Sequence, residues 1–296
     1  MIKKNLVLIL LILINSNSIA QSAFKFSKDY SILKVEPSKT DSKIKEANSP
    51  HLVVYNKKAK QGELLLFLPG TGGIATRGPR RLFSVAVYQG YHVINLSYIN
   101  KPAVAQICRG KVLNKNFNCA EEFRTKRIYG NNEFSRIDDE VHDAIVNRFT
   151  KLLIYLSEND KNTDWGNYLE NGKPKWGKIA VSGQSQGGGM AAFIAKENLV
   201  ARVIDFSGGW DFSAKNKIAN WYSSKSITPS NLWYGTYHVT EPMAKIIKES
   251  YLAMNIPESH IYAFDLKVPE GRKGHSDGVR NIGYTDQWIE LLGKGN

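Results

Sequence analysis

Cysteine is scarce in this chain of 296 residues, and Cys108 and Cys119 are the only two. They do not form a C-x-x-C pair and no histidine lies near them, so the sequence offers no zinc-binding pattern. The chain also lacks G-x-x-x-x-G-K-[ST] and a G-x-G-x-x-G in a suitable context, which argues against a phosphate-binding nucleotide loop. We therefore expect neither a metal nor a cofactor.

Long apolar runs are missing too, apart from one at the N-terminus. Lys3 and Lys4 precede the apolar stretch NLVLILLILI, and small residues follow at Ser18 and Ala20. The run is about half as long as a membrane-spanning helix, and the whole arrangement is typical of a secretory signal peptide. We expect residues 1–20 to be cleaved from a mature domain of residues 21–296, with no membrane anchor and a periplasmic or secreted location in a bacterium.

In an exported chain, an even number of cysteines predicts a disulfide. Cys108 and Cys119 lie in the polar stretch ICRGKVLNKNFNCAEEF, so we expect one bond that closes a surface loop. Such a short loop contributes less than about 3 kcal/mol of stability. Residues 99–135 around it show no hydrophobic periodicity and are interpreted as an insertion.

Acidic residues are few relative to basic ones. The chain has 27 Asp and Glu against 40 Lys and Arg, which gives a formal net charge of +13. The basic residues occur in scattered short groups such as RGPRR and EGRK and match no nucleic-acid-binding module, so they indicate a solvated cationic surface. We expect no specific nucleic-acid partner and a weak attraction to anionic surfaces.

What the chain does contain is an alternation of strand-like and helix-like segments. The clearest helical pattern covers residues 137–156, where apolar residues recur every three or four positions. Strands separated by helices predict an α/β fold with a mostly parallel sheet that helices cover on both faces. The strand-like runs are HLVVY, GELLLFLP, HVINLSY, GKIAVSG, ARVIDFSG, LWYGTYH and HIYAFDLKV.

The segment VSGQSQGGGM joins a predicted strand to a predicted helix. Its residues Gly183 to Gly187 match G-x-S-x-G, a tight turn that lifts a serine above the edge of a sheet. Glycines are expected there because larger residues would collide within the turn. The helix that follows directs its amides and its positive end toward a developing anion, so Ser185 is the candidate nucleophile.

A nucleophilic serine needs a base, because its hydroxyl is almost fully protonated near neutral pH. His275 lies in PEGRKGHSDG, a polar loop after the last predicted strand, where the chain order Ser, acid, His expects the base. His238, at the end of a predicted strand, is the alternative. The other four histidines are expected to be structural: His51, His92, His142 and His260.

A carboxylate between the serine and this histidine should orient the imidazole. Glu241, in YGTYHVTEPM, follows the penultimate predicted strand and is the favoured acid. Asp211, in FSGGWDF, is its main competitor. Two further carboxylates are expected inside strands and are weaker choices: Asp205 and Asp265.

Stabilisation of negative charge is expected from the glycine-rich segment LPGTGG, which follows the strand GELLLFLP. Glycines let the main chain approach a substrate closely. We predict that the backbone amides of Gln186 and Thr71 donate to an oxyanion, with Gly72 as the alternative to Thr71.

Five segments together resemble the α/β-hydrolase superfamily over nearly the whole mature chain: FLPGTGG, NLSYIN before a two-cysteine insertion, WGKIAVSGQSQGG, YGTYHVTEP and GHSDG. The similarity is closest to a bacterial branch of secreted members whose substrates are largely unassigned. That branch often has His before the serine and Asp as the acid, where this chain has Gln184 and Glu241. The resemblance implies a Ser/acid/His hydrolase that forms a covalent acyl-enzyme and needs no cofactor.

These features predict a carboxylic ester hydrolase that acts on a small-molecule or polymer ester. The alternative is a non-catalytic binding protein on the same scaffold, because a fold alone does not determine chemistry. Aromatic residues between positions 208 and 237 are expected either to line an apolar pocket or to belong to the core. They include Trp210, Phe212, Trp221, Tyr222, Trp233 and Tyr234.

Overall fold

The computed structural model describes residues 29–130 and 133–295. The predicted signal peptide, residues 1–20, lies outside the described residues. Within those two ranges, no helix combines the length and the apolar character needed to cross a membrane.

Eight strands form the central sheet: β1 Tyr30–Val35, β2 His51–Asn56, β3 Leu64–Leu68, β4 His92–Asn95, β5 Ile179–Gln184, β6 Arg202–Phe206, β7 Trp233–His238 and β8 Ile261–Phe264. Their order in the sheet is β1-β2-β4-β3-β5-β6-β7-β8. Strand β2 runs antiparallel to its two neighbours, and every pair from β4 to β8 is parallel. The predicted α/β fold with a mostly parallel sheet is confirmed.

Ten α-helices occur in the described ranges. They are α1 Pro37–Thr40, α2 Arg80–Tyr88, α3 Val104–Ile107, α4 Gly110–Lys115, α5 Cys119–Tyr129, α6 Ile145–Asn159, α7 Gln186–Glu197, α8 Ala244–Ala253, α9 Gly274–Asp277 and α10 Thr285–Leu292. Two short hairpins pair Leu169–Glu170 with Lys173–Pro174 and Phe212–Ala214 with Lys217–Ile218.

Both faces of the sheet are covered, and strand β3 shows how. Its residues Leu64, Leu66 and Leu68 belong to one core, which also contains side chains of α5, α6 and α7. Its residues Leu65 and Phe67 belong to a second core, with side chains of α2 and α10. Successive side chains of a strand point to opposite faces, so a strand buried on both faces has a continuous apolar sequence.

Two predicted elements differ from the observed ones. The helix predicted over 137–156 begins at Ile145, and Val141 lies before it, exposed, in the short 3-10 helix Val141–Asp143. The last strand ends at Phe264, so the prediction that Asp265 lies inside a strand was wrong, and this residue is exposed. The apolar alternation continues past that point, but the Leu266 amide donates to the Tyr284 hydroxyl at 2.8 Å instead of to a strand.

The insertion at 99–135 contains the three helices α3, α4 and α5. Helix α5 has no apolar period because it buries Arg124 and Arg127, with exposed fractions of 2% and 1%. The predicted disulfide between Cys108 and Cys119 is confirmed, with the two cysteines 11 positions apart. It joins the end of α3 to the start of α5.

Candidate active site

Ser185 lies in the turn between β5 and α7, with φ 59° and ψ −125°. Few residues with a side chain adopt this conformation, and it persists only where the surrounding structure holds it. The Ser185 amide donates to the Phe206 carbonyl at 2.8 Å, and its own carbonyl accepts from the Gly189 amide at 3.2 Å. The serine is therefore fixed at the carboxyl edge of the parallel strands.

Glycine is required on both sides of this serine. A Cβ atom on Gly183 would collide with the carbonyl group of Gly187, and one on Gly187 would collide with the carbonyl group of Leu68. The turn can pack against the end of β3 only because both side chains are missing. This is the steric reason that the sequence suggested for G-x-S-x-G.

Glu241 and His275 meet after the ends of β7 and β8. The imidazole Nδ1 of His275 and the Oε2 of Glu241 are 2.6 Å apart and hydrogen-bonded. The other oxygen, Oε1, accepts from the Ser207 hydroxyl and from the His238 amide, both at 2.7 Å. The carboxylate is thus held through Oε1 while Oε2 contacts the imidazole.

His275 lies beside the serine turn, in helix α9, where the sequence predicted a loop. The side-chain amide of Gln184 donates to the His275 carbonyl at 2.9 Å. The imidazole centroid lies 4.8 Å from a ring of Trp210, which lines a pocket together with Ser185. Among the described residues the imidazole hydrogen-bonds only to Glu241, and contacts between a base and its nucleophile are often long or misaligned before substrate binds.

Thr71 and Gln186, the predicted oxyanion donors, line the same pocket as Ser185. Neither backbone amide donates to another described residue, and that of Gln186 is the first amide of α7, at the positive end of the helix. The Gly72 amide donates to Asn100 Oδ1 at 3.0 Å. The alternative donor is therefore already engaged.

Many solved structures match this chain, whereas no protein-family profile and no curated protein does. Acylaminoacyl peptidase from Pyrococcus horikoshii matches with a TM-score of 0.50 and 10% identity, over 91% of this chain and 42% of that one. An acylaminoacyl peptidase in complex with Z-Gly-Gly-Phe-chloromethyl ketone matches with a TM-score of 0.50 and 12% identity, over the same shares. A thermostable esterase from Pseudomonas putida matches with a TM-score of 0.48 and 12% identity, over 95% of this chain and 90% of that one.

The chain has the α/β-hydrolase fold. The strand order, with β2 antiparallel to its neighbours, and the likeness to the two peptidases agree on this point. The resemblance predicted from the sequence is confirmed at the level of fold. This chain spans about two fifths of the length of each peptidase.

In this α/β-hydrolase fold the competing acid, Asp211, is engaged elsewhere. Its carboxylate accepts from Arg124 Nε at 2.6 Å and from Arg124 Nη2 at 2.9 Å. The Trp221 indole N–H adds a third hydrogen bond, at 3.0 Å. Both side chains of the ion pair are nearly fully buried, and the structure does not bring Asp211 to the imidazole of His275.

Asp205 is a third buried carboxylate near the site, at the end of β6. Its Oδ1 accepts from the Gly208 amide at 2.8 Å, and its Oδ2 has no hydrogen-bond partner among the described residues. Burial raises the pKa of Asp205 to about 7. Its position under α7 is tight, because a Cβ atom on Gly188 would collide with Oδ1.

The remaining histidines have structural surroundings. His238, the alternative base, contacts the Leu266 carbonyl through Nε2 at 2.9 Å and the Thr240 hydroxyl through Nδ1 at 2.8 Å. Burial lowers the pKa of His51 to about 3 and that of His92 to about 4. Both of these imidazoles are therefore neutral near pH 7.

The pocket at Ser185 is small, about 60 Å³, and the insertion forms one of its walls. The side chain of Gln186 holds that wall in place, since its Nε2 donates to the Asn100 carbonyl at 2.9 Å and its Oε1 accepts from the Val104 amide at 3.0 Å. The sequence predicted a role only for the Gln186 backbone, because this side-chain contact joins segments more than 80 positions apart. Of the six aromatic residues in question, Trp210 lines the pocket, whereas Trp221, Tyr222 and Trp233 are buried in the core and Phe212 and Tyr234 are half-buried.

In residues 29–130 and 133–295, no group of three or more His, Cys, Asp or Glu side chains is arranged to hold a metal ion. The pocket at the serine is lined by Thr71 and Gln186 and also by the buried ion pair of Arg124 and Asp211. Beside the serine turn lie an imidazole paired with a carboxylate and two backbone amides that donate to no described residue. These are the groups that acyl transfer to a serine requires.

Proposed function

We propose that this chain is a serine hydrolase that cleaves carboxylic esters, with Ser185 as the nucleophile, His275 as the general base and Glu241 as the acid that orients it. The observation that carries the proposal is the hydrogen bond of 2.6 Å between Glu241 Oε2 and His275 Nδ1. It leaves the opposite nitrogen, Nε2, to accept a proton. The strained conformation of Ser185 at the carboxyl end of β5 supports the same assignment.

In the proposed reaction, Ser185 Oγ attacks the ester carbonyl while His275 Nε2 takes its proton. Glu241 stabilises the imidazolium, and the amides of Thr71 and Gln186 donate to the oxyanion. When the tetrahedral intermediate collapses, the alcohol leaves and takes the proton from the imidazolium. A water molecule then attacks the acyl-enzyme by the same route and releases the acid.

The size of the pocket bears on the acyl group. A space of about 60 Å³ beside Ser185 favours a short acyl chain. We therefore expect hydrolysis of p-nitrophenyl acetate to have a higher kcat/KM than hydrolysis of p-nitrophenyl decanoate. A preference for the decanoate would contradict this part of the proposal.

The experiment that tests the function is the Ser185→Ala substitution, assayed with p-nitrophenyl acetate. Removal of the nucleophile should lower kcat by at least about 10³-fold, because the acyl-enzyme route is lost. Ser157→Ala is the matched control, since Ser157 lies on α6, outside the site, and its hydroxyl donates only to the Ile154 carbonyl among the described residues. Full activity in Ser185→Ala would end the proposal.

We also propose that the protein is exported to the periplasm or secreted. The N-terminal pattern and the disulfide between Cys108 and Cys119 both suit an oxidising compartment. The first residue of the protein recovered from the periplasm or the medium should be Gln21. Recovery of the intact chain from the cytoplasm alone would contradict export.

One observation favours a second candidate, a binding protein on the same scaffold. Among the described residues, the imidazole of His275 makes no hydrogen bond to the Ser185 hydroxyl. A fold can also persist without the chemistry of its relatives. Reactivity of Ser185 toward a fluorophosphonate distinguishes the two candidates, because only an activated serine reacts rapidly.

A further inference from the structure

A groove of about 440 Å³ opens near the proposed active site, and five arginines line it. Two parts of the chain supply them, and Arg77 and Arg280 are 203 positions apart. All five side chains are exposed, and no Asp or Glu is among the described residues of the lining. We call this feature the arginine groove; its arginines are Arg77, Arg80, Arg81, Arg272 and Arg280.

This concentration of charge is specific to arginine. The groove holds five of the eleven arginines in the chain, and none of the described lysines, although lysine is far more numerous, lines it. From the sequence alone, RGPRR and EGRK are expected to be parts of a scattered cationic surface. The fold instead brings the two segments to one groove, at positions that are remote in the sequence.

The arrangement opposes the stability of helix α2. Arg80 and Arg81 are its first two residues, and its first turn has no acidic side chain. Cations at the positive end of a helix are unfavourable, whereas an anion there is favourable. Neither Arg272 nor Arg280 forms an ion pair with any described carboxylate, and the same holds for Arg77 and Arg80. An external anion would relieve this repulsion.

The arginine groove continues toward the serine. A neighbouring cavity of about 250 Å³ shares Arg77 and Arg280 with it and extends to Gly70 and Gln184. Gln184 is the residue before Ser185, and Gly70 approaches the serine so closely that a Cβ on it would lie 3.1 Å from that of Ser185. The neighbouring cavity therefore extends from the groove to the residues next to the serine.

We propose that the arginine groove binds a phosphate or sulfate group carried by the ester substrate. Guanidinium groups pair with such oxyanions through two parallel N–H···O bonds, which lysine cannot reproduce. We assign the oxyanion to the substrate because the neighbouring cavity extends from the groove to Gln184, the residue before Ser185. The ester part of this proposal rests on the proposed hydrolase function, whereas oxyanion binding does not.

Direct binding tests the groove without catalysis. Inorganic pyrophosphate and inorganic sulfate are titrated by calorimetry into the Ser185→Ala protein, with and without Arg80→Gln, Arg272→Gln and Arg280→Gln together. The triple substitution should weaken binding at least about tenfold, because it removes several charge-assisted hydrogen bonds. Arg109→Gln, which changes an exposed arginine outside the groove, is the control and should bind as before.

Equal affinity in the triple variant and its parent would overturn the proposal. If the triple variant fails to fold, the single variant Arg280→Gln decides, and it should still weaken binding by at least about threefold. Inorganic phosphate, a tetrahedral anion of the same size as sulfate, is titrated in the same way, and the stronger binding of these two anions identifies the preferred group.

Substrate assignment is tested with three acetylated hexoses, one uncharged, one with a 6-phosphate and one with a 6-sulfate, by the release of acetate. The wild type should have a kcat/KM at least about tenfold higher for a charged ester, and the triple variant should lose most of that ratio. An unchanged ratio in the triple variant, or no preference in the wild type, would overturn the substrate assignment. Hydrolysis that survives Ser185→Ala would instead refute the proposed function. The pyrophosphate titration would then still show whether the arginine groove binds an oxyanion.

Discussion

Glu241 and Asp211 are two buried carboxylates near the same edge of the sheet, and their partners differ. Glu241 follows β7 and contacts the imidazole of His275, whose side chain is 30% exposed. Asp211 follows β6 and contacts the guanidinium of Arg124, whose side chain is 3% exposed. An imidazole gains and loses protons near neutral pH, whereas a guanidinium keeps its charge. The first pair therefore suits proton transfer and the second suits fixed structure.

The two pairs also lie in different regions of the molecule. Glu241 and His275 belong to the sheet edge itself, held by Ser207 and Gln184 at neighbouring strand ends. Arg124 belongs to the insertion, so its bond with Asp211 fastens the insertion to the sheet. Substitutions that remove the contact between Arg124 and Asp211 should lower the free energy of unfolding more than they lower the chemical rate.

Removal of the hydrogen bond between Glu241 and His275 should lower the catalytic rate more than any change to the pair of Arg124 and Asp211. Glu241→Gln should lower kcat for p-nitrophenyl acetate by about 10³- to 10⁴-fold, because the imidazole loses the group that orients it and stabilises its charged form. Asp211→Asn, assayed at a temperature where it is folded, should lose less than about tenfold. If Asp211→Asn collapses the rate and Glu241→Gln does not, the two carboxylates have been assigned the wrong way round.

The second effect concerns the free energy of unfolding. Asp211→Asn or Arg124→Gln should each destabilise the protein by about 3–5 kcal/mol, because each leaves a buried charge without its partner. Replacement of both, as Arg124→Met with Asp211→Leu, should recover much of the loss. Urea unfolding measures all three variants. A loss under about 1 kcal/mol in both single variants would show that the ion pair does not hold the insertion.

Asp205 is a third buried carboxylate, and among the described residues it has neither an imidazole nor a guanidinium as hydrogen-bond partner. Burial raises its pKa to about 7, whereas an unfolded Asp titrates near 3.9. The folded state thus keeps a proton that the unfolded state loses, so this contribution to stability falls as pH rises from about 4 to about 7, by up to about 4 kcal/mol. Above that window it is constant.

The Asp205→Asn variant tests this pH dependence of stability. The free energy of unfolding of the wild type and the variant is compared at pH 5 and at pH 8, so that other titrating groups cancel in the difference. The wild type should lose more stability than the variant between the two pH values. An identical pH dependence in the two proteins would contradict a raised pKa at Asp205.

The smallest effect concerns the disulfide, which fastens the start of α5, the helix that carries Arg124. Changing Cys108 and Cys119 to Ser together should cost about 2–3 kcal/mol, because a short loop is no longer closed in the unfolded chain. Activity on p-nitrophenyl acetate should stay within about threefold below the melting transition. A loss of activity as large as that of Glu241→Gln would mean that the insertion takes part in the chemistry.

The serine turn was predictable because its constraints are local. A strand, a turn too tight for side chains and a helix follow one another within a few residues, and the collision of a Cβ on Gly183 with Gly187 explains the glycines. The succession of strands β2 to β8 along the chain was predictable from the alternation of apolar segments, whereas their order in the sheet was not predicted. The roles of His275 and Glu241 stay a prediction, now with a hydrogen bond of 2.6 Å between them to test.

Contacts between remote segments were not predictable. Arg124 and Asp211 are 87 positions apart, and Arg124 lies in a helix without an apolar period, so nothing local pairs them. The arginine groove was missed for the same reason, since Arg77 and Arg280 meet only after the sheet has formed. Strand β1 was missed because no motif draws attention to it, although it pairs with β2 along its whole length.

The most direct test of whether Ser185 is an activated nucleophile is labelling with a fluorophosphonate probe. The labelled residue is located by mass spectrometry of the digested protein. We expect rapid labelling of the wild type and of Asp211→Asn at Ser185, slow labelling of Glu241→Gln, and none at this position in Ser185→Ala. A folded wild-type protein that stays unlabelled, or that is labelled at another residue, would contradict the claim that this serine is activated.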